Sequence, residues 1–234
     1  MSASYKRLDK DQAAVLLVDH QAGLLSLVRD IDPDKFKNNV LALADLAKYF
    51  KLPTILTTSF EDGPNGPLVP ELKQLFPQAP FIPRPGQINA WDNEDFVKAV
   101  RATGRKQLII AGVVTEVCVA FPALSAMAEG YDVFVVTDAS GTFNEVTRQS
   151  AWNRMAEAGA QLMSWFGPGL RTAPRLAQRC GGLGHALLQP HTRLPQPDVQ
   201  LQHGQGVEVG HLLQDGAGDH PGAYRAGRCG ADGH

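Results

Sequence analysis

Histidine is scarce where acid–base chemistry would need it. Of the seven histidines in 234 residues, only His20 lies within the first 166. A cysteine–histidine pair there depends on that one imidazole. Phosphate-binding loops are missing as well: no GxGxxG follows the first apolar run, and GxxxxGK[ST] occurs nowhere. The nucleotide-binding versions of an α/β sheet thereby lose their main support. The three cysteines, Cys118, Cys180 and Cys229, form no CxxC pair and no disulfide framework. No run of eighteen apolar residues occurs, so no membrane span is expected, and MSASYKRLDKDQ has no apolar core of a signal peptide. The formal charge of -2 gives no electrostatic case for nucleic acid or an anionic membrane. A reducing, cytoplasmic setting is the expectation.

The residues from 167 onward lack more: Lys, Ile, Phe, Trp, Met, Ser and Asn are all absent. Glycine and histidine accumulate there instead, and no apolar periodicity persists. The expected organisation is a folded domain over 1–166, followed by a low-order tail whose composition is that of GC-rich DNA read out of frame. Natural disordered tails keep more serine, lysine and charge.

What is present in 1–166 alternates strand and helix. Ala13–Asp19, Leu52–Thr58, Gln107–Ala111, Tyr131–Asp138 and Ala160–Trp165 read as strands. Helical spacing covers 21–30, 33–50, 70–76, 93–103, 115–129 and 144–157, with Pro33 at a first-turn position and Thr115 a candidate cap. The segment 76–85 reads as a proline-dense connection. This order predicts a three-layer α/β sandwich with a mostly parallel sheet covered on both faces.

In such a sheet all carboxyl ends open on one edge, where ligands bind. Cys118 follows the central strand by about one helical turn, where the helix dipole favours thiolate. Its plain alternative is a buried small hydrophobe. Asp19 ends the first strand and can reach the same crevice. Asp138 ends another strand and serves equally well as a turn residue. His20 directly follows Asp19, points away from it on a strand, and reads as a packed or rim residue. The run Arg84-Pro-Gly-Gln-Ile-Asn-Ala-Trp91-Asp92 brings a cation, an aromatic ring and amides into one loop.

The segments VLLVDHQAGL (15–24), RPGQINAWDNEDF (84–96), GVVTEVCVAFPALSA (112–126) and DASGTFNEVTRQSAWNRM (138–155) resemble the isochorismatase-like cysteine hydrolases, in particular their YcaC-like group. The resemblance covers essentially all of 1–166. It implies a six-stranded parallel sheet and an Asp–Lys–Cys triad, carried here by Asp19 as acid/base, Arg84 at the lysine position and Cys118 as nucleophile. Arginine can hold charge beside a thiolate but does not readily exchange a proton. The resemblance also implies a cis peptide at Val113-Val114 and an oxyanion hole made by the backbone N–H groups of Val114 and Cys118. Phe60, Asn89, Trp91 and Phe143 are expected to shape the pocket. Relatives that cleave nicotinamide carry a metal-binding acid and histidines after the second strand. Here TTSFEDGPNGPLVPEL offers only Glu61 and Asp62, so no metal and no cofactor are expected.

The expected activity is hydrolysis of a small amide-like C–N substrate through an acyl-enzyme, by a homo-oligomer. The alternative is a non-catalytic oligomeric binding or scaffold protein that retains the fold. A redox or isomerase role stays open. For the tail, codons permitted for residues 170–203 can be chosen so that removing one nucleotide yields helical spacing resembling the YcaC-like C-terminal region.

Overall fold

The computed structural model describes residues 5–167. The out-of-frame expectation for the tail lies, apart from Gly167, outside the described residues. Six strands form one parallel sheet: β1 (Ala13–Val18), β2 (Thr54–Ser59), β3 (Phe81–Arg84), β4 (Gln107–Gly112), β5 (Asp132–Val136) and β6 (Gln161–Met163). Their spatial order is β3-β2-β1-β4-β5-β6, with every pairing parallel. Strands β1, β2 and β4 are buried along their whole length, as their unbroken apolar and threonine runs require.

Six α-helices connect the strands: α1 (Ala22–Leu25), α2 (Pro33–Tyr49), α3 (Pro70–Leu75), α4 (Glu94–Ala102), α5 (Ala120–Ala128) and α6 (Glu145–Glu157). Side chains of Asp32, Asn93 and Asn144 cap α2, α4 and α6 by accepting the N–H groups of Lys35, Phe96 and Thr147. By the right-handed rule for parallel crossovers, this strand order puts the helices that link β1 to β2 and β3 on one face. Those that lead to β4, β5 and β6 lie on the other. The chain reverses direction across the sheet between β1 and β4, which makes their carboxyl ends the switch point of the fold. Gly112 is required there. A Cβ on it would sit 2.4 Å from the Val18 carbonyl oxygen of the neighbouring strand.

Three local expectations are corrected. Residues 81–84 are an edge strand, not a connection. Pro83 is tolerated because an edge strand needs ladder bonds on one side only. Helical spacing over 21–30 yields only the four residues of α1. Val28 to Asp30 turn instead toward the loop before α6, where Arg29 N–H reaches Thr142 O at 2.8 Å and Asp30 Oδ1 accepts Thr142 N–H at 2.8 Å. Thr115 is not a side-chain cap; its hydroxyl is buried without a partner. The turn that follows, Thr115–Val119, is a π-helix in which Val119 N–H reaches Val114 O, five residues back, at 3.3 Å. Pro122 has no N–H for the Cys118 carbonyl, so the α register starts only at Ala120, where Pro122 falls in the first turn.

Candidate active site

The carboxyl ends of β1, β3 and β4 each deliver one polar side chain toward the switch point. Asp19 leaves β1 with φ 56, a left-handed conformation that Asp accepts more readily than most residues. The reversal is pinned by Asp19 N–H to Thr57 O (2.9 Å) and Gln21 N–H to Asp19 O (2.7 Å). Arg84 is the last residue of β3, and Cys118 sits in the π-turn after β4. The peptide Val113-Val114, between β4 and that turn, is cis.

Asp19 and Arg84 form an ion pair whose side chains are both fully buried, with Nη2 donating to Oδ1. The rest of the guanidinium is held as firmly. Nε donates to Thr57 Oγ1 at 3.0 Å, and Nη1 donates to the carbonyls of Gln87 and Ile88. Asp19 Oδ2 is buried with no hydrogen-bond partner, and the Cys118 thiol lies close enough to the Asp19 carboxyl group to interact with it. The structure therefore brings Asp19, Arg84 and Cys118 together. The Val114 N–H points at the same sulfur.

The protonation of the thiol departs from expectation. Burial raises the Cys118 pKa far above its ordinary value, and the charge and hydrogen bond of Asp19 raise it further. The Val114 N–H and Arg84 oppose this but do not prevail. Burial also raises the Asp19 pKa, against the lowering influence of Arg84. Burial and the neighbouring carboxyl group therefore both favour the neutral thiol over the thiolate at Cys118. The cost of burying an anion beside the Asp19 carboxyl group outweighs the half-charge that a helix terminus offers.

His20 is excluded as a base. It is fully buried, its Nε2 lies 3.1 Å from Ala139 O, its ring stacks on Phe36, and burial pushes its pKa down to about 4. Asp138 is a turn residue whose Oδ1 accepts Trp165 N–H at 2.7 Å.

The expected pocket residues divide. Phe60 follows β2 with φ 51, gives its N–H to Arg84 O and is half exposed. Phe143 is also exposed, next to Thr142, whose hydroxyl donates at 2.5 Å to Glu116 in the π-turn that holds Cys118. Asn89 caps a short 3₁₀ turn over Ala90–Asp92 and donates to Asp92 and Ser125. Trp91 is not brought to Cys118. Its ring packs edge-on against Phe96 and Tyr131, and its Nε1–H donates at 2.8 Å to Glu129, at the far end of α5. An open cleft of about 310 Å³ lies on that side, lined by Arg101, Arg105, Lys106 and Glu129 at the amino ends of β4 and β5, away from the thiol. Sequence reading missed Thr57 and Gln87. Thr57 lies inside β2, and Gln87 contributes only a carbonyl, which no side-chain pattern signals.

The residues after β2 do not suit a metal ion. Glu61 accepts Leu68 N–H at 3.0 Å, and no group of three His, Cys, Asp or Glu converges among the described residues.

The family model for the isochorismatase domain matches residues 13–166. The chain is 83% identical over 167 residues to the probable hydrolase YcaC of Escherichia coli K12, covering 71% of this chain and 80% of that protein. The solved structure of YcaC from Pseudomonas aeruginosa, with hexane-2,5-diol and covalent acrylamide, is 73% identical with a TM-score of 0.78. It aligns with 80% of this chain and 93% of its own. The structure of the Escherichia coli ycaC gene product, an octameric hydrolase of unknown specificity, is 79% identical with a TM-score of 0.74 over 75% and 86% of the two chains.

Proposed function

The chain belongs to the isochorismatase domain family, and from that premise we propose that it is a cofactor-independent cysteine hydrolase of small amide-like substrates. The observation that carries this reading is the thiol of Cys118 beside a buried, Arg84-held carboxyl group whose Oδ2 has no hydrogen-bond partner. In this reading Asp19 is the general base. It takes the Cys118 proton as Sγ forms its bond to the substrate carbonyl carbon, and the carbonyl electron pair moves onto oxygen. The oxyanion is met by the N–H groups of Val114 and Cys118. The intermediate collapses, the C–N bond breaks, and the departing amine takes the proton from Asp19. Water then attacks the thioester, giving its proton to Asp19. The sulfur leaves and recovers a proton, and the acid is released. Arg84 is a positioning residue: it orients Asp19 and opposes the rise in its pKa that burial causes, while proton exchange belongs to the carboxylate alone.

Resting as a thiol suits this cycle. A concerted transfer to Asp19 activates the sulfur only when an electrophile is present, and between turnovers the nucleophile is protected from oxidation.

A panel of small amides, assayed with the wild type and with Cys118→Ser, tests the proposal. The variant should fold and assemble as the wild type does and lose all turnover. A variant that keeps activity on a substrate the wild type cleaves would end the covalent mechanism. We also propose a cytoplasmic homo-oligomer, supported by the octamer of the Escherichia coli relative. No helix among the described residues is long and apolar enough to cross a membrane. A monomer in sedimentation at micromolar concentration would contradict the assembly.

A further inference from the structure

The buried cation of this site commits four of its five N–H donors to protein acceptors. A guanidinium has five N–H donors. In Arg84 one goes to Thr57, two to the carbonyls of Gln87 and Ile88, and one to Asp19, with the whole side chain buried. Its charge is matched by Asp19, and these two are the charged side chains that act on Cys118. A carboxylate entering the crevice would lose its water beside another carboxylate, with no unpaired cation to receive it. That is the costly case for a buried charge.

The rim above is apolar. Phe60, Ile88 and Phe143 are 51%, 60% and 44% exposed, although large apolar side chains are usually covered. Each is tied to the site through backbone. Phe60 N–H bonds Arg84 O, Ile88 O accepts from Arg84 Nη1, and Phe143 follows the Thr142 that bonds Glu116. They come from the loops after β2, β3 and β5, whose carboxyl ends lie on the same edge of the parallel sheet as those of β1 and β4.

We infer that the site takes an uncharged amide bearing an apolar substituent, seated on Phe60, Ile88 and Phe143, and rejects carboxylate-bearing molecules. The inference rests on the nucleophilic role proposed for Cys118.

Acrylamide, N-butylacrylamide and acrylate test it without a known substrate. A thiol adds across the C=C bond of each: Sγ bonds the terminal carbon, and the thiol proton ends on the carbon beside the carbonyl. The full chain is labelled at pH 7, adducts are mapped to Cys118 by mass spectrometry, and each rate is divided by that of N-acetylcysteine with the same reagent. The normalised rate for acrylamide should exceed that for acrylate by tenfold or more, and N-butylacrylamide should exceed acrylamide severalfold. Equal normalised rates for acrylamide and acrylate would overturn the charge selectivity while leaving the nucleophile intact. No Cys118 adduct with any reagent would instead overturn the nucleophile itself. Ile88→Lys, at an exposed position, should raise the acrylate rate severalfold and remove the N-butyl advantage. If it leaves that advantage untouched but shifts the sedimentation of the assembly, the rim is a subunit contact and the apolar-substituent assignment falls.

Discussion

Replacing Arg84 by methionine removes the cation but keeps most of the side-chain volume. Asp19 is then a buried anion that has lost its ion pair. Both side chains are fully covered, so solvent cannot take over the role. Breaking such a pair from one side costs about 3–5 kcal/mol. For a chain of this size that lowers the unfolding midpoint by roughly 6–20 °C. Adding Asp19→Leu to Arg84→Met should recover at least half of the loss, because the penalty is the orphaned charge more than the missing contact. The pH dependence gives a second signature. Burial already holds the Asp19 pKa above its ordinary value, and Arg84 is what restrains it. Without Arg84 the folded-state pKa rises further above that of the unfolded chain. The folded state then binds a proton that the unfolded state releases. The penalty is absent below the unfolded pKa and grows as pH rises through the folded one. Midpoints from scanning fluorimetry should therefore show a smaller deficit for Arg84→Met at pH 5 than at pH 8. A deficit equal at both values, or a double variant no more stable than the single one, would refute the reasoning.

Three further outcomes are expected. Asp19→Asn removes the anion that raises the Cys118 pKa, so a pre-formed thiolate would make acrylamide labelling faster. With Asp19 as the base, labelling should instead slow by tenfold or more, and an acceleration would remove Asp19 from its assigned role. Gly112→Ala places a Cβ 2.4 Å from the Val18 carbonyl oxygen of β1 and should cost about 1–3 kcal/mol in denaturant unfolding; a loss under 0.5 kcal/mol would mean that β1 and β4 separate easily. Resequencing the gene should reveal a shifted frame near codon 167, and an intact frame through position 234 with a protease-resistant tail would refute the out-of-frame reading.

The central strands were legible because both of their faces are covered. Runs such as Leu108–Ala111 and Val15–Val18 have nowhere to go but the middle of a sheet. The convergence of Asp19 and Cys118 followed from topology, since parallel strands share a carboxyl edge. Strand β3 was hidden by Pro83, which an edge position tolerates and a central one does not. The stretch 21–30 kept helical spacing, but Arg29 and Asp30 form hydrogen bonds to Thr142, more than a hundred positions away in the chain. Trp91 looked like a pocket residue by its neighbours in sequence, yet its indole N–H is satisfied by Glu129. The protonation of Cys118 depends on desolvation, and no local pattern reports how deeply a thiol is buried.

The sheet order also bears on how the chain is made. β1 sits at the middle of the sheet, with β2 on one side and β4 on the other, and Ala13 pairs with Gln107. During synthesis β2 and β3 leave the ribosome first and can cover only one side of it. The other row of β1 backbone donors and acceptors, flanked by apolar Ala13–Val18, stays open until residues 107–112 emerge. An open edge of that kind invites pairing with a second nascent chain. The wait for β4 lengthens that interval, and the crevice between the carboxyl ends of β1 and β4 comes into existence only at the moment it ends.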